Sequence, residues 1–199
     1  MNFIKVIYQY RILSILLFFF FSNNLKSQVS IREFTEDLKT YDFSDPNPIP
    51  IFISNPKIYP YFTFDGYSIE SKSKKFKVIE LENDYIKVLI TPELGGKVWG
   101  AIDKTSGKEF IYKNEVVKFR NISMRGPWTS GGIEFNFGII GHHPSTATPV
   151  DYKIRKNSDG SISCFVGNID LPSRSQWRVE IIVKNDQASF LTDALWYNP

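Results

Sequence analysis

The side chains best suited to chemistry lie close together in one stretch. Arg125-Gly126-Pro127-Trp128-Thr129-Ser130-Gly131-Gly132-Ile133-Glu134-Phe135-Asn136-Phe137-Gly138 is followed by Gly141-His142-His143-Pro144. Both histidines of the chain are here, with a carboxylate, an amide, a guanidinium and an indole. Read as a central strand, Ile133–Phe137 alternates, so Glu134 and Asn136 share one face while Ile133, Phe135 and Phe137 turn to a core. A carboxylate beside an amide can grip sugar hydroxyls, and Glu134 can act as a general acid or base. The structural alternative for Glu134 is an ion pair with Arg120 or Arg125. An imidazole, as His142 carries, can pass a proton to an oxygen without extreme tuning; the structural alternative for His142 is satisfaction by loop carbonyls. Trp128, between Pro127 and Thr129, is suited to stacking on the C–H face of a sugar ring. Arg125 is suited to orienting Glu134 or an acidic sugar group. The expectation is that Glu134, Asn136 and His142 converge on one concave surface beside Trp128. Glu134 and His142 are the candidate catalytic groups, and Arg125, Trp128 and Asn136 the substrate-binding ones.

Other chemistries find little footing. Adjacent histidines normally point apart, and no HxH or HExxH spacing occurs, so neither a zinc site nor any cofactor is expected. Calcium ligands leave little trace in sequence, and calcium stays open. No nucleophile elbow, phosphate loop or dinucleotide fingerprint is present. The single cysteine, Cys164, sits in the alternating run Ser161–Val166 and reads as a small buried apolar residue.

These groups need a scaffold, and the scaffold reads as antiparallel strands. Short alternating runs at Ile86–Ile90, Val98–Ile102, Phe110–Tyr112, Tyr152–Arg155, Ser161–Val166, Trp177–Val183 and Ser189–Trp196 are broken by Gly, Asn and Asp turns, the pattern of a sheet sandwich. Ile31–Thr40 comes nearest to helical periodicity but is short, and the prolines at 46, 48 and 50 favour extended chain after it. Trp99 alternates out of phase with Val98 and Ile102. It is expected in a core all the same, because a sandwich within a larger fold can bury both faces of a sheet.

The first 27 residues differ from the rest. Lys5 and Arg11 flank a basic start, and Ile12–Phe21 is almost wholly apolar, long enough for a signal peptide but short of the ~20 residues of a membrane span. No cysteine follows that run, which argues against a lipoprotein anchor, and cleavage near Gln28 is expected. The leader holds three of the 24 Lys and Arg and none of the 21 Asp and Glu, so the remaining chain is formally neutral. That speaks against nucleic-acid binding, which needs a clustered basic excess. An exported protein is expected, periplasmic, at the cell surface or secreted, with no stable membrane insertion after cleavage. A single cysteine allows no internal disulfide, so stability rests on the core.

Leu81-Glu82-Asn83-Asp84-Tyr85-Ile86-Lys87-Val88, followed by Pro92-Glu93-Leu94-Gly95-Gly96-Lys97-Val98, resembles the opening of galactose-mutarotase-like domains. The run from Trp128 to Phe137, Gly141-His142-x-Pro144 and Pro149-Val150-Asp151-Tyr152 resemble an uncharacterised secreted bacterial family of that superfamily, a domain of unknown function often followed by tetratricopeptide repeats. The resemblance runs from about Ile31 onward. It implies an all-β antiparallel supersandwich with a carbohydrate cleft, incomplete in this chain. The division it suggests is a signal peptide over 1–27, an N-terminal strand segment over 28–75 and the first part of the sandwich over 76–199. Mutarotases use a His to protonate the ring oxygen and a Glu to take the anomeric proton. His142 matches the motif position, and His143 the variable one. The mutarotase Glu comes from late in that fold, so Glu134 does not simply inherit its role. The expected function is carbohydrate recognition or processing by an exported protein, and any catalysis would be epimerase-like or glycosidase-like. The alternative is a non-catalytic scaffold module with repeats mediating protein contacts.

Overall fold

The computed structural model describes residues 28–42, 68–122, 126–136, 142–170 and 174–199. The leader, Arg125, Phe137 and Gly141 lie outside the described residues, and the expectations placed on them stand there untested. Within the described residues regular structure is all β, with two 3₁₀ turns and no helix long and apolar enough to cross a membrane. The all-β sandwich expected from the turn spacing is what the chain forms.

Among the described residues twelve strands make two main sheets and a small ribbon. β1 (Ser30–Tyr41), β2 (Ser71–Glu82), β3 (Ile86–Thr91), β4 (Lys97–Asp103), β5 (Lys108–Ile111) and β6 (Val116–Val117) form a six-stranded sheet in the order β5-β4-β3-β2-β1-β6. β7 (Arg120–Ile122) pairs with β8 (Gly126–Trp128). β9 (Asp151–Lys156), β10 (Ile162–Ile169), β11 (Gln176–Val183) and β12 (Phe190–Tyr197) form an antiparallel meander. Ile31–Thr40 is strand, since β1 pairs with β2 from Ser30 opposite Glu82 to Tyr41 opposite Ser71. Cross-strand pairing of that length overrides a weak local preference.

The core lies between the two main sheets. Ile79, Leu81, Val88, Ile90 and Val98 from the first meet Cys164, Val166, Val179, Ile181 and Val183 from the second. All alternate with residues facing away, as a half-buried strand requires. Cys164 is fully buried, and burial pushes its thiol up to about 12, so it is a core atom and not a nucleophile.

The outer face of the six-stranded sheet is also covered. Leu38, Phe76, Leu94, Trp99, Val117, Phe119 and Ala147 form a second apolar cluster there. Its lid is the chain around the 3₁₀ turn Pro144–Ala147, which sits against the turn Pro92–Leu94. Gly95 N–H donates to Thr148 O at 3.0 Å and Val150 N–H to Pro92 O at 3.0 Å. Gly95 has φ 73°, and a Cβ there would lie 2.5 Å from Thr146 Cα, so only glycine allows this approach.

Candidate functional site

The polar residues singled out in the sequence sit on this outer layer, and the glycines before them set the geometry. Gly131 and Gly132 have φ of 82° and 66°, which turns the chain back along β4. Ile133 then exchanges two hydrogen bonds with Val98, donating at 2.8 Å and accepting at 3.2 Å. A Cβ on Gly132 would lie 2.3 Å from Val98 O. Over its described part, Ile133–Asn136, the expected strand does not form. Ile133 makes a single bridge, and residues 134–136 are irregular. The alternation survives without a ladder, because Ile133 and Phe135 pack on the central core while Glu134 takes the opposite direction.

Glu134 and Asn136 both reach the 142–143 dipeptide. Glu134 Oε1 lies 2.6 Å from His142 Nδ1. A carboxylate oxygen accepts, so Nδ1 carries the hydrogen and Nε2 is left to meet a ligand. Asn136 Oδ1 accepts the His143 N–H at 2.9 Å. These side chains keep some contact with solvent, 11% for Glu134 and 20% for His142. Glu134 therefore takes His142 as its close partner in preference to Arg120, which is exposed on β7. Trp128 ends β8, half-buried opposite Arg120, one residue before Thr129. Thr146 Oγ1 donates to Pro127 O at 3.1 Å and ties that strand to the 3₁₀ turn after His143. The structure thus brings Glu134, Asn136 and His142 together and sets Trp128 on the neighbouring ribbon.

Two residues of this layer were not singled out from the sequence. Lys97 opens β4 with only 2% exposure, and its Nζ donates to Thr129 O at 2.8 Å. Burial lowers its pKa to about 8, and the negative charge of Glu134 partly offsets that. His143 is 4% exposed. Its Nδ1 accepts from Ser145 N–H at 3.1 Å, capping the 3₁₀ turn, and its Nε2 is 3.4 Å from Asp170 Oδ1 at the β10–β11 connection. Burial lowers its pKa to about 3, so the ring is neutral with its hydrogen on Nε2. The adjacent histidines do point apart, as backbone geometry requires. His142 meets solvent, while His143 fastens the loop to the second sheet. A signal for Lys97 was present, since alternation puts it on the same face as Trp99.

The dyad can hold or release one proton at His142 Nε2 and offer hydrogen bonds to hydroxyls. With Glu134 engaged by the imidazole, it is not a second, independent acid or base. Among the described residues no group of three or more His, Cys, Asp or Glu is arranged to hold a metal ion.

Against known proteins, residues 54–199 match the model of a domain of unknown function (DUF5107). The crystal structure of a TPR-domain-containing protein from Parabacteroides distasonis superposes with a TM-score of 0.77 at 31% identity, covering 86% of this chain. This chain spans 30% of that one. A family match over most of the sequence, on a fold shared with a solved structure, places the chain in the DUF5107 domain family.

Proposed function

We propose that this chain is a carbohydrate-recognising domain of galactose-mutarotase-like type, from an exported protein that binds or processes glycans. The observation that carries the reading is the 2.6 Å contact between Glu134 and His142 on a partly exposed surface, with Asn136 tied to the same dipeptide. In this reading Glu134 is a positioning residue that fixes the tautomer and tilt of His142. His142 Nε2 contacts a ring oxygen or hydroxyl, Asn136 offers its amide to hydroxyls, and Trp128 supplies a flat apolar face. Any epimerase-like or glycosidase-like step draws its proton from His142. A separate carboxylate across the cleft is the other group such chemistry calls for. Residues 1–27 act as the export signal. The domain division of this reading is an N-terminal strand segment over 28–75 and the first part of the sandwich over 76–199, with Arg125 kept as a candidate sugar-binding residue.

A non-catalytic scaffold role is the second reading, and what favours it is the TPR-domain-containing protein that shares the fold. The two part on one experiment, a panel of mono- and oligosaccharides tested on the protein by calorimetry and product analysis. Saturable binding supports the carbohydrate reading. His142→Ala and Glu134→Gln should each weaken it more than about tenfold, or about 1.4 kcal/mol, with melting temperature preserved. Undiminished binding in both variants would make the loop structural, and no binding by the parent chain would favour the scaffold.

A further inference from the structure

The outer face of the six-stranded sheet holds an imbalance that the dyad does not explain. Three buried side-chain atoms there have no hydrogen-bond partner among the described residues: Thr91 Oγ1, Trp99 Nε1 and Thr129 Oγ1. Their residues are 0%, 0% and 1% exposed. Leaving such a group unpaired costs about 1–3 kcal/mol, so native structures rarely do it without an occupant. All three surround Lys97. Thr91 is directly opposite Lys97 in the β3–β4 register, so both point to one face. Trp99 is two residues along the same strand, its ring centroid 5.8 Å from Lys97 Nζ. Thr129 provides the carbonyl that accepts from that ammonium, its single hydrogen bond among the described residues. A lysine has three N–H donors, so two remain for something else.

The chemistry of this set selects its occupant. An ammonium and an indole N–H can only donate, and a threonine hydroxyl can donate as well as accept. A buried cation also wants a counter-charge, and Glu134 is close enough to act on Lys97 but holds His142. The geometry points to a carboxylate-binding subsite centred on Lys97, with Thr91, Trp99 and Thr129 as its neutral hydrogen-bonding groups, which takes the acid group of a uronic-acid sugar. The sugar part rests on the carbohydrate reading above; the carboxylate part rests on the unpaired groups alone. Glu134, close enough to act on Lys97, and its partner His142 are the partly exposed groups beside this buried set.

The test is calorimetry on the whole chain with D-glucuronate and D-galacturonate against D-glucose and D-galactose at neutral pH, and with acetate as the simplest carboxylate. The expected result is binding of each uronate at least about tenfold tighter than its neutral parent. Lys97→Met should abolish that preference while keeping or raising the melting temperature, since it exchanges a buried charge for an apolar side chain of similar length. If Lys97→Met does not fold, Thr129→Val removes one hydroxyl with little change of shape and should reduce the same preference. Neutral sugars binding as tightly as the acids, or a preference that survives Lys97→Met, would overturn the subsite and leave the carbohydrate reading intact. Lys97-dependent stabilisation by acetate without any sugar binding would support the carboxylate pocket and sink the carbohydrate reading. No response to sugars or acetate would overturn both.

Discussion

The two faces of strand β4 are almost equally buried and chemically unlike. On the inner face Val98 and Ala101 are fully buried among Ile90, Val88, Cys164 and Val166, with no polar side-chain atom left to satisfy. On the outer face Lys97 and Trp99 are as inaccessible, yet they bring a cation, an indole N–H and the hydroxyls of Thr91 and Thr129 out of water with few partners. Burial of apolar area stabilises by roughly 25 cal/mol per Å², whereas burial of an unpaired polar group costs. One face is therefore where stability resides, and the other carries an imbalance a ligand would relieve.

That contrast can be tested by substitution. Ile181→Ala, which opens a hole in the inner core, should cost about 2–5 kcal/mol in chemical denaturation, whereas Lys97→Met on the outer layer should cost nothing or stabilise. A Lys97→Met penalty as large as that of Ile181→Ala would erase the distinction. Gly132→Ala comes next, at about 1–3 kcal/mol. It strains a positive φ and drives a Cβ into Val98 O, and sugar binding should fall with it because Glu134 hangs on the same bridge.

The titrations sharpen the same point. Burial keeps the His143 ring neutral in the folded chain down to about pH 3, while the unfolded chain takes up that proton near pH 6.5. Stability present above pH 6.5 should thus decline as pH falls through this window, by up to about 1.4 kcal/mol per pH unit. Denaturation curves of His143→Gln should be flatter there by that amount. Lys97 has the same sign in a more alkaline window. It releases its proton near 8 when folded and near 10.5 when unfolded, so the folded chain gains stability as pH rises between those values. The gain should be absent in Lys97→Met, and it is the smallest of these effects because its window is narrower.

Much of the scaffold was legible in the sequence, for a local reason. Turns such as Asn157-Ser158-Asp159-Gly160 declare themselves by residue type, and alternation in Ser161–Val166 and Trp177–Val183 fixes which side faces the core. β1 was less clear because its register is set by β2, across residues 42–70 of intervening sequence. At the site, the direction of Glu134 followed from alternation, but the strand did not, since Gly131 and Gly132 turn the chain so that only Ile133 reaches Val98. Lys97 was overlooked because a lysine at a strand start reads as solvated, and what buries it arrives about thirty residues later with Thr129. His143 looked like the lesser histidine for a similar reason: its partner Asp170 is distant in sequence.

The chain has two histidines, which makes the central claim directly measurable by ¹⁵N resonance of the imidazole rings in the labelled protein. On titration with a sugar that binds, the account predicts that the ring nitrogens of His142 shift saturably, with Nε2 most affected and Nδ1 still hydrogen-bonded to Glu134. The buried His143 ring should stay where it is and serve as the internal reference. Saturable binding that leaves the His142 ring unmoved, or that moves only His143, would contradict the assignment of the sugar to the Glu134–His142 dyad.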